Sequence, residues 1–197
     1  MKVLLAAHGY PPELVGGTET AVQALAHGLA RRGHEPLVVA GTLRHEQGFR
    51  VSEERETLSG GGALRVLRIH RDDLYFDHWH KAASGRVERA FREILLRERP
   101  DLVHVHHWIR LSRGLVATAA RARVPALVTL HDLWTSCLVT FRVRTDTKRY
   151  CSAPLEPSPC LACASRLPPF TPWVDAARAR VLLAEHKADL ARELALA

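Results

Sequence analysis

Histidine closes an apolar run at three places in this chain. His8 follows Lys2–Ala7, His104, His106 and His107 lie in Asp101-Leu-Val-His-Val-His-His-Trp108, and His131 ends Val128-Thr-Leu-His-Asp132. Imidazole changes charge near neutral pH and can donate or accept a proton at either ring nitrogen. A lone histidine is more often a satisfied structural group than a reactive one. Several at successive strand ends make one rim a candidate site, with Asp132 beside them. Along a strand His104 and His106 point to one face, because side chains alternate with period two.

Two further groups could do chemistry. Gly16-Gly17 directly precedes a helical pattern, where free N–H groups and the helix dipole favour an anion such as a diphosphate. The pair alone is weak evidence, since a plain loop hinge has the same composition. The dinucleotide fingerprint G-x-G-x-x-G is missing, and the second strand ends in Ala40-Gly41 rather than an acidic residue, which argues against a nicotinamide dehydrogenase. The four cysteines, Cys137, Cys151, Cys160 and Cys163, fall in one loop with thirteen, eight and two residues between them. Such spacing permits a tetrahedral zinc that staples the loop, although a zinc ribbon would carry two Cys-x-x-Cys knuckles. The plainer reading is buried small side chains and free thiols. An iron–sulfur cluster has no electron-transfer context here, and four thiolates would leave a zinc no open catalytic position.

The elements that must position these residues alternate between strand and helix. Lys2–His8, Leu37–Ala40, Leu64–Ile69, Leu102–His106 and Pro125–His131 read as buried strands. Helices are expected from Thr18 to Gly33 (with Ala21, Val22, Leu25 and Leu29 inward), from Trp79 to Arg99 (Val87, Phe91, Ile94 and Leu95 inward), and from Leu111 to Arg123 (Leu115, Val116 and Ala119 inward). A last helix is expected over Trp173–Leu196. Gly41–Gly62 is polar, ends in Ser-Gly-Gly-Gly and reads as a mobile loop. The expected fold is α/β, a Rossmann-like parallel sheet with helices on both faces, in a single domain over residues 1–197 with a long cysteine-rich loop over 132–172.

Bulk properties limit the function classes. The chain has 197 residues, 47% hydrophobic and 25% charged, and carries +7 at neutral pH. No apolar run reaches the ~18 residues of a membrane span, and Val3–Ala7 is too short for a signal-peptide core. A cytoplasmic protein is expected, with peripheral contact to an anionic inner membrane face compatible with the charge. Reduced thiols in that compartment favour metal ligation or free cysteines over disulfides. The positive charge also suits nucleotide phosphates or nucleic acid.

Taken together, His8-Gly-Tyr-Pro-Pro12, Gly16-Gly-Thr-Glu19, Leu29-Ala-Arg-Arg-Gly-His-Glu35, Asp101-Leu-Val-His-Val-His106 and Pro125-Ala-Leu-Val-Thr-Leu-His-Asp132 resemble the N-terminal, acceptor-side domain of a family 4 glycosyltransferase of the GT-B fold. The resemblance runs in order through nearly the whole chain. Some members of that family also have a tryptophan and a cysteine after the His-Asp, as Trp134 and Cys137 are placed here, and a later Cys-x-x-Cys. The resemblance implies retaining transfer of a sugar from a nucleotide-sugar donor, without an obligatory catalytic metal. It gives Gly16 and Gly17 the donor phosphates, and His131 the transferred sugar as the catalytic residue. His8, His104, His106 and Asp132 then belong to the rim or the acceptor side. Cys137, Cys151, Cys160 and Cys163 remain candidate ligands of a structural zinc, not of a catalytic cofactor. The family's second domain, with its Glu-x7-Glu motif and nucleotide site, has no counterpart here, so the chain is expected to be inactive alone. Acceptor selection would fall to the Gly41–Gly62 loop and to Tyr75, Phe76 and Trp79. The rival readings are a zinc-dependent nucleic-acid module gripping phosphate through Arg142–Arg149, and a non-catalytic subunit of a split glycosyltransferase. Nucleic acid is the less expected partner, because aromatics are sparse around that basic segment.

Overall fold

The computed structural model describes residues 1–45, 48–58, 60–72, 83–133, 137, 142–152, 160 and 163. Strands β1 (Lys2–Ala7), β2 (Glu35–His45), β3 (Arg50–Thr57), β4 (Ala63–Arg71), β5 (Leu102–Val105) and β6 (Ala126–Val128) form one sheet in the order β3-β4-β2-β1-β5-β6. All neighbours pair in parallel except β3 and β4, which are antiparallel. The architecture is the expected Rossmann-like α/β fold, with one strand more than the sequence disclosed.

That additional strand corrects the reading of Gly41–Gly62 as a mobile loop. β2 continues to His45, and Arg50–Thr57 pairs residue for residue with β4. The segment hides from periodicity because it is an edge strand with both faces largely in water. Side-chain pairing fixes it instead. Arg65 donates to both carboxylate oxygens of Glu53 at 2.9 Å, and Arg68 Nε donates to Glu54 at 2.8 Å. Glu56 accepts from Tyr10 Oη at 2.7 Å and from Gln23 Nε2 at 2.7 Å, and lies 2.9 Å from His27 Nε2.

The helices cover the sheet from two sides. α1 (Gly17–Arg31) packs Val22 and Ala26, with the partly buried Leu25 and Leu29, on Val3, Leu5, Val38, Ala40 and Val66. Ala21 is exposed, so the inward stripe is turned by one position from the expected one. α2 (Gly85–Glu98) and α3 (Leu115–Arg121) cover the opposite face, where Val87, Phe91, Ile94, Leu95, Leu115 and Ala119 meet Leu4, Val39, Ile69 and Val105. α2 begins later than the sequence indicated, because Ser84 caps it by accepting from Val87 N. α3 begins at Leu115, not Leu111, and Val116 is solvent-facing at 36% exposure. β6 is the far edge of the sheet and is exposed, in contrast to the buried strand expected there. Tyr75, Phe76, Trp79, Trp134, most of the cysteine loop and the expected helix over 173–196 lie outside the described residues.

Chain order places the site. The chain moves outward from β1 to β2 through α1, and then returns from β4 through α2 to β5 on the other side of β1. The strand order therefore reverses between β1 and β5, and a crevice opens past their carboxyl ends. His8 follows β1, and His106 follows β5 and donates its backbone N–H to Ala6 O at 2.8 Å.

Candidate functional site

The crevice gathers the histidines of three strand ends. The rings of His8 and His107 lie 4.5 Å apart, those of His104 and His106 4.0 Å, and those of His106 and His131 5.3 Å. All five histidines named from the sequence thus fall in one cluster. Asp132 joins it through His107 Nε2, 3.0 Å from Asp132 Oδ2.

The proton position of the His107 ring follows from its neighbours. The backbone N–H of Ile109 donates to His107 Nδ1 at 3.1 Å, so that nitrogen is an acceptor and the ring's proton sits on Nε2, donating to Asp132. His8 Nε2 lies 2.7 Å from Glu19 Oε1 in the first turn of α1. The contact is one of charge proximity rather than a formed hydrogen bond, and among the described residues His8 Nδ1 and Glu19 Oε1 are both buried without a hydrogen-bond partner. Burial, helped by the charges of His107 and Arg110, lowers the His8 pKa to about 3. Burial likewise lowers His106 to about 4, and His104 in the same direction. His8, His104 and His106 are consequently neutral at physiological pH. His104 Nε2 lies 2.8 Å from Thr129 Oγ1, which ties β5 to the chain leaving β6.

The rim is held from behind by residues with no obvious sequence signal. Arg68, 2% exposed, donates to Tyr10 O at 3.1 Å and Pro11 O at 2.8 Å, and so anchors the loop between His8 and α1 to β4. Thr42 Oγ1 donates to Glu13 Oε1 at 2.5 Å in the same loop. Arg71, also 2% exposed, donates to Arg110 O at 3.1 Å and Leu111 O at 3.0 Å, which secures the turn after His107. Gly41 lies between these two loops. A Cβ there would come within 2.8 Å of His8 O and 2.9 Å of Arg110 Cβ. Gly41→Ala is expected to cost about 1–3 kcal/mol, because backbone or a buried side chain must move to admit the methyl group. A urea melt checks this, and a midpoint within error of the parent would show that the approach is looser than the structure has it. The sequence offered Ala40-Gly41 only as a missing acidic residue.

Gly16 is the N-cap of α1, in extended conformation and with no side-chain cap. The first-turn N–H groups are thus left for water or an anion. A Cβ on Gly17 would meet nothing within 4 Å, whereas one on Gly16 would come within 2.7 Å of Glu19 Oε2. A side chain at Gly16 would thus displace the Glu19 carboxylate, and Gly17 faces open space.

Cys137, Cys151, Cys160 and Cys163 are half-buried free thiols. Among the described residues no group of three or more His, Cys, Asp or Glu side chains is placed to hold a metal ion. Cys163 Sγ lies 3.5 Å from Thr145 N and 3.4 Å from Thr145 Oγ1, and those hydrogen bonds lower its thiol pKa. The basic segment beside it is a turn closed by a Val143–Tyr150 bridge. There Arg144 pairs with Asp146, and Arg142 Nε donates to Cys151 O at 2.9 Å. No helix among the described residues is long and apolar enough to cross a membrane.

The family model of Glycosyltransferase Family 4 matches residues 15–182. The chain belongs to glycosyltransferase family 4. This family 4 chain is 30% identical over 109 residues to an uncharacterized glycosyltransferase of Methanocaldococcus jannaschii, covering 55% of the chain and 25% of that protein. It is 27% identical over 144 residues to a glycogen synthase of Mycobacterium tuberculosis, covering 66% of the chain and 33% of that protein. A solved sucrose-phosphate synthase from Thermosynechococcus elongatus aligns with a TM-score of 0.46 at 20% identity, over 68% of this chain and 34% of that one. The matched part of the chain thus spans between a quarter and a third of the length of these two relatives.

Proposed function

We propose that this family 4 domain is the acceptor-side half of a retaining glycosyltransferase. It would move a sugar from a nucleotide-sugar donor to a glycan, lipid or small-molecule acceptor. The observation that carries this reading is the convergence of His8, His106, His107, His131 and Asp132 with the uncapped start of α1 at the point where the strand order reverses. A departing nucleotide diphosphate is the main charge to stabilise in such a transfer, and the free N–H groups and positive dipole end of α1 supply a fixed, preorganised partner for it. His131, which is exposed, would hydrogen-bond the transferred sugar. His8 lies against Glu19 in the first turn of α1, and the His107 Nε2 proton keeps Asp132 engaged at the crevice.

The short coverage of the relatives supports a second half that holds the nucleotide, so transfer is expected only when that half is supplied. The test is product formation, followed by mass spectrometry, by the 197-residue chain alone and by the chain joined to a family 4 nucleotide-binding half. Product from the joined enzyme only, with kcat lowered roughly 10²–10³-fold by His131→Ala, is the expected result. Robust transfer by the chain alone would contradict the half-site reading, and an unaffected His131→Ala enzyme would remove His131 from the site.

A further inference from the structure

His106 and His107 are adjacent but differently satisfied. His107 has a partner on each ring nitrogen. His106 is 5% exposed, its Nδ1 lies 3.0 Å from His131 Nε2, and its Nε2 is buried with no partner among the described residues. At neutral pH the His106 ring carries a single proton, since burial holds its pKa at about 4. Only one of the two nitrogens facing each other across the His106–His131 contact can donate.

Two placements satisfy that contact. In one, His131 donates from Nε2, and His106 is left with a buried N–H that has no acceptor. In the other, His106 donates from Nδ1, and what remains buried is a bare lone pair. Orphaned N–H groups are the rarer defect in protein interiors, and each unmet donor carries its full desolvation cost. Imidazole's own mild preference for protonation at Nε2 works in the opposite direction and is the smaller effect in a ring this deeply buried. The tilted His104 ring, 4.0 Å away, stacks on His106 and has its own contact with Thr129, so it offers no acceptor to His106 Nε2.

We infer that His106 donates its Nδ1 proton to His131 Nε2 and thereby fixes His131 as the Nδ1–H tautomer, so that Nδ1 is the donor His131 presents at the rim. His106 is then a positioning residue acting through His131. Its consequence for sugar binding rests on the transfer function proposed above, whereas the tautomer itself does not.

Long-range proton–nitrogen spectra of the ¹⁵N-histidine-labelled chain test this without any turnover. His131 is expected to show a protonated, pyrrole-type Nδ1 and a pyridine-type Nε2. His106→Phe removes the donor and is expected to return His131 to mainly Nε2–H, while His106→Asn keeps a side-chain N–H and preserves Nδ1–H. His131 found as Nε2–H in the parent chain overturns the inference, and this spectrum is decisive even where the Phe variant does not fold. A folded Phe variant with His131 still Nδ1–H overturns the part assigned to His106. A chain with the expected tautomer but no response to a nucleotide sugar would remove the functional reading and leave the inference standing.

Discussion

As the pH falls from 6.5 toward 4, unfolding free energy is expected to drop by a few kcal/mol, with roughly 1.4 kcal/mol for each pH unit over which one depressed histidine binds a proton only when unfolded. His8 and His106 have folded pKa values of about 3 and about 4 against an ordinary 6.5. In that window the unfolded chain binds protons that the folded chain does not, so stability falls as pH falls. His104 acts in the same direction. As pH falls through the ordinary carboxylate range a second loss begins. Glu98 is held low by hydrogen bonds from Arg65, Lys2 and Arg97, and Glu53 by Arg65. Stability from a depressed carboxyl is present above its unfolded pKa of 4.5 and is lost as pH falls through the folded value. Urea melts across this range should therefore show two successive declines. Replacing His106 by Asn should flatten the first and spare the second. A stability profile level from pH 6.5 down to 4.5 would mean that the rim histidines are not buried as described.

The second large effect is expected for Arg71→Ala, at about 3–5 kcal/mol of lost stability. The guanidinium is buried against Leu111 and supplies the donor for two backbone carbonyls, and each buried acceptor left unmatched costs ~1–3 kcal/mol before the cavity is counted. One of those carbonyls belongs to Arg110, which sits at φ 63, a left-handed conformation that is unfavourable for a residue with a Cβ. Losing Arg71 should thus loosen the turn after His107 as well as the fold. Arg71→Lys, which keeps the charge but not the fork, is expected to lose about half as much. Denaturant midpoints check both. A midpoint for Arg71→Ala within about 1 kcal/mol of the parent would show the turn to be held by other contacts.

The contrast between what the sequence disclosed and what it concealed has a physical cause. Strands β1 and β2 were legible because burial on both faces demands apolar runs, as in Val3–Ala7 and Leu37–Ala40, and β4 and β5 because β-branched and leucine side chains still dominate around Arg65, Arg68 and His104. The inward residues of α2 were legible because their period is helical. β3 was not legible, since Arg-Val-Ser-Glu-Glu-Arg-Glu-Thr carries no apolar alternation and is held by ion pairs with residues of distant sequence number. The site divides in the same way. His8, the His104–His107 cluster and His131 could be read as strand-end residues, and topology then brought them together. The pairing of His107 with Asp132, the contact of His8 with Glu19, and the supporting roles of Arg68, Arg71 and Gly41 depend on which loops meet past the strand ends. No spacing along the chain encodes that.

The measurement closest to the central claim is a nuclear magnetic resonance titration of the chain with nucleotide sugars of several bases and sugars. Binding by this half alone is expected to be weak, near the millimolar range of about −4 kcal/mol. The account predicts that the largest shifts fall on the amides of Gly16 and Gly17 and on the His131 and His106 rings, and that His131→Ala removes the shift at the His106 ring while keeping those at Gly16 and Gly17. A response confined to the Arg142–Arg149 segment, or none at the rim at saturating nucleotide sugar, would contradict it.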